Sequence, residues 1–417
     1  MDKKENLFIE IAHHHENKHG KVVCGDTFLS RKISGDNRYV AVLSDGLGSG
    51  IKASVLSTMT ASMAMNFRLR REPVLRSALN IMNALPIDSV RNINYATFTI
   101  VDTDFEGMTQ ILEFDSPDYL LFRDQEKTTP IRKAIGIDRE GQQYTAYLGD
   151  TEAMKKLGNE AAKFRIMYRS ALKLCKGDRI IFYSDGVVQS GMGAAEHPFG
   201  WGKEAVEEFV QEVLKNRPEI SARDLSRLIV NSALQKDGMK SKDDISCAVI
   251  YARNPRKLLL CSGPPYDNKN DKLLSNTVAS YKGKKVICGG TTSKIVAREL
   301  HRELCVDLKN IKAREYPPEA TMEGVDLVTE GILTLGLVAE MLEKENPLEE
   351  HANSPAADII RLIQVSDIID LFVGTRINEA HQDPSLPVEL EIRRNVVKRI
   401  SQLLEDKWLK KVNVSFI

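Results

Sequence analysis

The chain has no long hydrophobic run, no surplus of either charge and no closely spaced cysteine pair, and each absence removes a class of protein. No stretch approaches the ~18 to 20 apolar residues that a membrane-spanning helix needs. The first residues, Met1-Asp2-Lys3-Lys4-Glu5-Asn6, lack the apolar core of a secretory signal, so a cytoplasmic protein with no membrane partner is expected. Lysine plus arginine and aspartate plus glutamate each number 58, a formal net charge of zero, and nothing in that balance points to nucleic acid. The six cysteines, at positions 24, 175, 247, 261, 288 and 305, form no Cys-x-x-Cys pair. Most lie in or beside apolar runs, so buried reduced thiols are expected in place of disulfides or zinc ligands. The histidine cluster His13-His14-His15 with His19 reads as a short polar strand or loop before it reads as a metal site.

Two apolar runs end in the same tripeptide. Tyr39-Val40-Ala41-Val42-Leu43 leads into Ser44-Asp45-Gly46, and Ile180-Ile181-Phe182-Tyr183 leads into Ser184-Asp185-Gly186. Near-continuous apolar runs of this length read as strands buried on both faces, which puts each aspartate where a core strand meets solvent. A third acidic site, Asp243-Asp244, precedes the apolar stretch Cys247-Ala248-Val249-Ile250-Tyr251. Asp-Gly after a strand is most often a plain turn. Carboxylate oxygens anchored at strand ends also suit a hard divalent cation such as Mg2+ or Mn2+.

Between these sites the pattern is helical over residues 51 to 67, where Val55, Met59, Met63 and Phe67 recur at a spacing of four and the Ala, Ser and Thr elsewhere suit a helix packed closely against a sheet. A second helix is expected over 74 to 85. Strands are expected at 95 to 101, 108 to 114 and 119 to 122, and helices again at 203 to 215 and 221 to 235. Strands in runs and helices in runs imply an α+β layered sandwich.

With Cys24-Gly25-Asp26-Thr27-Phe28, Ser44-Asp45-Gly46-Leu47-Gly48-Ser49-Gly50, Gly177-Asp178 and Asp243-Asp244-Ile245-Ser246 in this order, the chain resembles the metal-dependent (PPM-type) serine/threonine protein phosphatases, most closely the bacterial branch typified by the stage II sporulation protein E phosphatase. The resemblance runs from about Val23 to Ala252. It implies two antiparallel sheets flanked by helices, with two Mn2+ or Mg2+ ions at one end. By the same resemblance Asp45 bridges both ions, Gly46 lends a backbone carbonyl, and Asp185 and Asp243 are further ligands. Asp244 supports them, and Asp26 stands near the water shell of the first ion. The implied reaction is hydrolysis of phosphoserine or phosphothreonine by direct attack of a metal-bridging hydroxide, in a bacterial regulatory circuit. The implied substrate is a phosphorylated protein, such as a small regulatory protein opposed by a serine kinase. No histidine lies near Asp45-Gly46 to act as general acid, which leaves that role to a metal-bound water. Arg31 and Lys32 read as solvated loop charges, so no phosphate-binding residue is assigned. A non-catalytic interaction or metabolite-sensing protein that keeps the phosphatase fold stays open as the alternative.

The phosphatase-like domain is expected to span residues 1–253 and a separate α/β domain residues 254–417. In the second, strand, glycine turn and helix recur at Leu258 to Gly263, Lys285 to Gly290, Val325 to Gly331 and Leu371 to Gly374, which argues for parallel β-α crossovers. Gly289-Gly290-Thr291-Thr292 could hold an anion on helix-terminal amides, but a turn with threonine as N-cap is the favoured reading. Residues 387 to 409 space Leu390, Ile392, Val396, Ile400, Leu404 and Trp408 as an amphipathic helix. Such a helix is suited first to packing on its own domain and second to forming a homodimer. This second domain is expected to sense a ligand or bind a partner.

Overall fold

The computed structural model describes residues 7–33, 38–85, 87–88, 93–94, 96–140, 143–147, 165–306, 320–344, 348, 351–376, 387–408 and 410–417. Tyr95, expected to open a strand, and the side chain of Leu390 lie outside what is described. The chain divides into two compact units, Met1–Asn254 and Pro255–Ile417. Among the described residues no helix is long and apolar enough to cross a membrane.

In chain order the first unit runs β1 (Phe8–Glu16), β2 (Asp26–Ile33), β3 (Arg38–Gly46), α1 (Ile51–Leu69), α2 (Val74–Ala84), the short pair β4 (Ile87–Asp88) and β5 (Ile93–Asn94), β6 (Ala96–Asp104), β7 (Met108–Phe114), β8 (Leu120–Arg123), β9 (Glu126–Thr128), β10 (Arg132–Glu140), β11 (Gln143–Tyr147), β12 (Arg165–Lys173), β13 (Arg179–Tyr183), the single turn α3 (Asp185–Val188), α4 (Lys203–Asn216), α5 (Ala222–Lys236) and β14 (Ile245–Arg253). The strands form a five-stranded sheet, β1-β14-β13-β8-β9, and a seven-stranded sheet, β11-β10-β12-β7-β6-β3-β2. Every pairing in both is antiparallel.

Side-chain alternation shows why the two apolar runs are continuous. Along β3, Val40 and Val42 join the cluster under α1 and α2, while Ala41 and Leu43 join the cluster between the two sheets. Along β13, Ile181 and Tyr183 join the cluster under α4 and α5, while Ile180 and Phe182 face the inter-sheet layer. Each strand is therefore buried on both faces in a helix–sheet–sheet–helix stack, and no position is left for a polar residue until the strand ends.

Helix α1 forms where expected, and Met63 and Phe67 pack against the core as expected, but the first two residues of the expected face do not. Val55 and Met59 are 52% and 46% exposed, whereas Ala53, Leu56, Ser57, Thr60, Ala61, Ala64 and Met65 are buried. The small residues set this packing, because they let the helix backbone approach the sheet closely. A Cβ added at Gly46 would stand 2.1 Å from the carbonyl oxygen of Ala53. The far end of α1 is pinned electrostatically. Arg68 and Arg38 both reach the buried Asp102 of β6, with Arg68 Nε 2.7 Å from Oδ2 and Arg38 Nε 3.0 Å from Oδ1.

His13, His14 and His15 lie on β1, paired with β14. The ring of His13 stacks on Phe28 at 4.6 Å and on His15 at 5.3 Å, and burial drives its pKa down to about 3, so it serves as a neutral, half-buried ring. Arg31 and Lys32 stand on β2 and not in a loop, and the Lys32 ammonium lies over the rings of Tyr39 and Phe105.

The second unit contains β15 (Lys257–Ser262), α6 (Asp271–Ser280), β16 (Lys284–Cys288), α7 (Gly290–Leu300), β17 (Leu304–Val306), β18 (Ala320–Met322), β19 (Val325–Thr329), α8 (Ile332–Glu343), α9 (Pro355–Gln364), β20 (Ile368–Val373), α10 (Pro387–Asp406) and β21 (Lys411–Phe416). Its sheet order is β17-β18-β19-β16-β15-β20-β21, parallel from β19 to β21 and antiparallel at the β17–β18–β19 edge. The parallel strands follow the order third, second, first, fourth, fifth, which is that of a doubly wound sheet. One face is covered by α8, α9 and α10 and the other by α6 and α7. Val397, Ile400 and Leu404 of α10 are buried in this unit's own core, while Ile392, expected on the apolar face, is 42% exposed.

Candidate metal centre

The first unit gathers its acidic motifs at one end of the two sheets. β2 and β3 pair in a register that sets Asp26 directly opposite Asp45. Across the inter-sheet layer, β13 runs into α3 at Asp185, and β14 begins just after Asp243-Asp244. Ser184 ties these two segments together. Its N–H donates to Ser246 O at 3.0 Å, and its hydroxyl accepts from Ser246 N–H at 3.0 Å.

Three glycines make this approach possible. A Cβ at Gly186 would stand 2.1 Å from the carbonyl oxygen of Asp244, and one at Gly25 would stand 2.7 Å from Asp244 Oδ2. Gly46 N–H donates to Gly25 O at 3.3 Å, which brings the Gly-Asp and Ser-Asp-Gly motifs side by side. Gly46 and Gly186 thus admit the backbone of a neighbouring segment where any side chain would push it away.

Burial dominates the ionisation of these carboxylates, and their mutual repulsion adds to it. Burial raises the pKa of Asp45 well above the usual carboxylate range, and the charges of Asp26, Asp185 and Asp243 add to the shift. Asp26 is raised to about 7, chiefly by burial and further by Asp244, with the Ser246 and Ser184 hydroxyls offsetting part of the effect. Asp185 is raised by burial and by Asp243. Asp26 stands directly opposite Asp45 in the β2–β3 register, so the two carboxyls meet across the strand pair. Among the described residues no three His, Cys, Asp or Glu side chains already surround a single metal position.

The donors nonetheless fit a hard divalent cation. Neither oxygen of Asp26 and not Oδ2 of Asp244 has a partner of hydrogen-bond geometry, although both residues are buried at 7% and 4% exposure. Buried carboxylate oxygens left without partners carry a large desolvation cost, which a bound cation removes. All the side-chain donors are oxygen, as Mg2+ and Mn2+ prefer. Of the residues singled out in the sequence, the fold brings Asp26, Asp45, Gly46, Asp185, Asp243 and Asp244 together. It leaves Arg31 and Lys32 further along β2, where Lys32 is in register with Tyr39.

Two neighbours carry no signal in the acidic motifs themselves. Gln189 Nε2 donates to Asp185 Oδ2 at 2.8 Å, holding the carboxylate from one helical turn on, a contact that the i, i+4 spacing could have suggested. Lys18 N–H donates to Asp244 Oδ1 at 2.9 Å, and its Nζ lies 3.5 Å from Asp243 Oδ1. At 226 positions from Asp244, no spacing argument reaches Lys18.

In the second unit, Gly263 and Gly374 lie at the carboxyl ends of β15 and β20, where the strand order reverses. This crevice is filled from within. A Cβ at Gly374 would stand 2.1 Å from Pro264 O, and Arg393 Nη1 donates to Gly374 O at 3.2 Å and Arg376 O at 3.3 Å. The expected threonine N-cap of α7 is replaced by Gly289, which makes no side-chain cap, and Thr292 is buried in the first turn.

The stage II sporulation protein E (SpoIIE) family matches residues 35–253. Among solved structures the chain is similar to the PP2C phosphatase domain with a fragment of the regulatory domain of SpoIIE from Bacillus subtilis, at 16% identity and a TM-score of 0.43, over 60% of this chain and 65% of that one. It is also similar to the RsbU and RsbW domains of a Mycobacterium tuberculosis protein, at 17% identity and a TM-score of 0.43, over 66% and 68% of the two chains. A third similarity is to RsbX in complex with magnesium, at 17% identity and a TM-score of 0.37, over 60% and 98%. No curated protein matches.

Proposed function

Because the chain belongs to the stage II sporulation protein E family, we propose that its first unit is a divalent-metal-dependent phosphoprotein phosphatase acting on phosphoserine or phosphothreonine. The observation that carries this reading is the convergence of Asp26, Asp45, Asp185, Asp243 and Asp244 at one end of the sheets, with buried carboxylate oxygens lacking partners. A protein–protein docking surface gains nothing from mutually repelling carboxylates, whereas a phosphate-cleaving centre requires them. Asp45, Asp185 and Asp243 would hold Mn2+ or Mg2+, Gly46 would offer its carbonyl, and Asp26 and Asp244 would support them. When bound, such ions neutralise phosphate and acidify a water enough to attack phosphorus near neutral pH.

The chain's own residues do the positioning. The Ser184–Ser246 bonds hold Asp185 and Asp243 at a fixed separation, Gln189 orients the Asp185 carboxylate, and the β2–β3 register holds Asp26 against Asp45. A small regulatory phosphoprotein opposed by a serine kinase is the proposed substrate class, and the second unit is proposed to bind a ligand or partner. A phosphoserine peptide should release phosphate with the purified full chain in millimolar Mn2+. It should release none in excess chelator or with Asp185→Asn. Equal rates in all three samples would remove the catalytic reading.

A further inference from the structure

Lys18 follows β1 in a loop held by the same segment that carries the acidic pair. His19 N–H donates to Ser241 O at 2.9 Å, Ser241 Oγ donates to Asn17 O at 2.5 Å, and Lys18 N–H donates to Asp244 Oδ1 at 2.9 Å. The side chain is thereby delivered to Asp243, with Nζ 3.5 Å from Oδ1. Asp243 and Lys18 are 38% and 35% exposed at their side chains, so this pair forms the open rim of the cluster. The other lysine beside the acidic pair, Lys242, is committed elsewhere, donating to Met192 O at 2.6 Å.

We propose that Lys18 is a built-in counter-cation of the carboxylate cluster, one that holds Asp243 in the metal-free protein and must leave that oxygen before a divalent ion can take it. The inference rests on the proposed metal centre and adds to it a control on loading, since Lys18 sets the free metal concentration at which the centre fills. An ammonium and a dication cannot share one carboxylate oxygen at close range without strong repulsion, so one displaces the other. Because the ammonium is partly exposed, it has solvent to move into. The loop does not depend on it, because the bond to Asp244 comes from the Lys18 backbone.

The test is isothermal titration of Mn2+ into the full-length wild type, Lys18→Met, Lys18→Gln and the control Lys21→Met, whose lysine lies against Gly50. Removing the competing charge should tighten Mn2+ binding by about three- to tenfold in both Lys18 variants, the range expected for a half-exposed contact pair, while the control stays within about twofold of wild type. Equal affinities in the Lys18 variants and the control overturn the role of Lys18 and leave the metal centre standing. A wild type that takes up no Mn2+ overturns both.

Discussion

Asp45→Asn should raise the melting temperature of the metal-free chain and at the same time abolish the rise that Mn2+ produces in the wild type. Asp45 is the hub of the cluster, since burial and the charges of Asp26, Asp185 and Asp243 all disfavour its ionised form. At neutral pH the metal-free fold must either ionise Asp45 against those neighbours or hold a proton on it, and either choice costs stability that an amide does not. Asparagine is nearly the same shape and carries no charge to repel Asp26, Asp185 and Asp243. Relief of about 1 to 2 kcal/mol is expected, a gain of several degrees by differential scanning calorimetry at about 2 to 4 °C per kcal/mol. With metal the order reverses, because the wild type gains binding free energy in proportion to occupancy and the variant loses the central donor. Phosphatase turnover should fall by about a thousandfold or more, the scale expected when a metal centre loses a carboxylate ligand. A variant less stable than wild type without metal, or equally stabilised by Mn2+, would contradict the placement of Asp45 at the hub.

Gly186→Ala is expected to destabilise the first unit strongly. The added Cβ would meet the Asp244 carbonyl oxygen at 2.1 Å and its carbon at 3.0 Å. Both contacts are backbone, so no side-chain rotation relieves them. The start of α3 or the approach to β14 must move by about an ångström, at a cost of about 3 kcal/mol or more. Any such movement also separates Asp185 from Asp243. Loss of stability and loss of Mn2+ uptake should therefore appear together, measured by chemical denaturation and by titration. A variant that keeps wild-type metal affinity would show that the two motifs do not depend on this close approach.

How much of this was legible in the sequence depended on which kind of information each part uses. The Ser-Asp-Gly sites could be read because strands buried on both faces must stay apolar until they end, so the first aspartate marks the end of the strand. Periodicity placed α4 and α5 within a residue or two, as apolar positions at helical spacing cover one face of a sheet. It failed for part of α1. There Val55 and Met59 point outward, while Leu56 and Met65 are buried beside a contact surface rich in alanine, serine and threonine. The alanine, serine and threonine content correctly signalled close packing on the sheet, as approach to Gly46 requires, but a spacing of four alone could not say which large residues face inward. In the second unit, strand–glycine–helix repeats revealed the parallel strands. Strand β21 escaped notice because, as an exposed edge strand, it needs no apolar run. Lys18 escaped too, since its relation to Asp243 exists only after β1 has paired with β14.

The central claim is that Asp45, Asp185 and Asp243 hold divalent ions with Asp26 and Asp244 in support, and anomalous scattering at the manganese edge from crystals grown with Mn2+ tests it most directly. The expected map has its strongest peaks within coordination distance of Asp45, Asp185 and Asp243. A map without peaks there, or with manganese bound only elsewhere on the chain, would contradict the account.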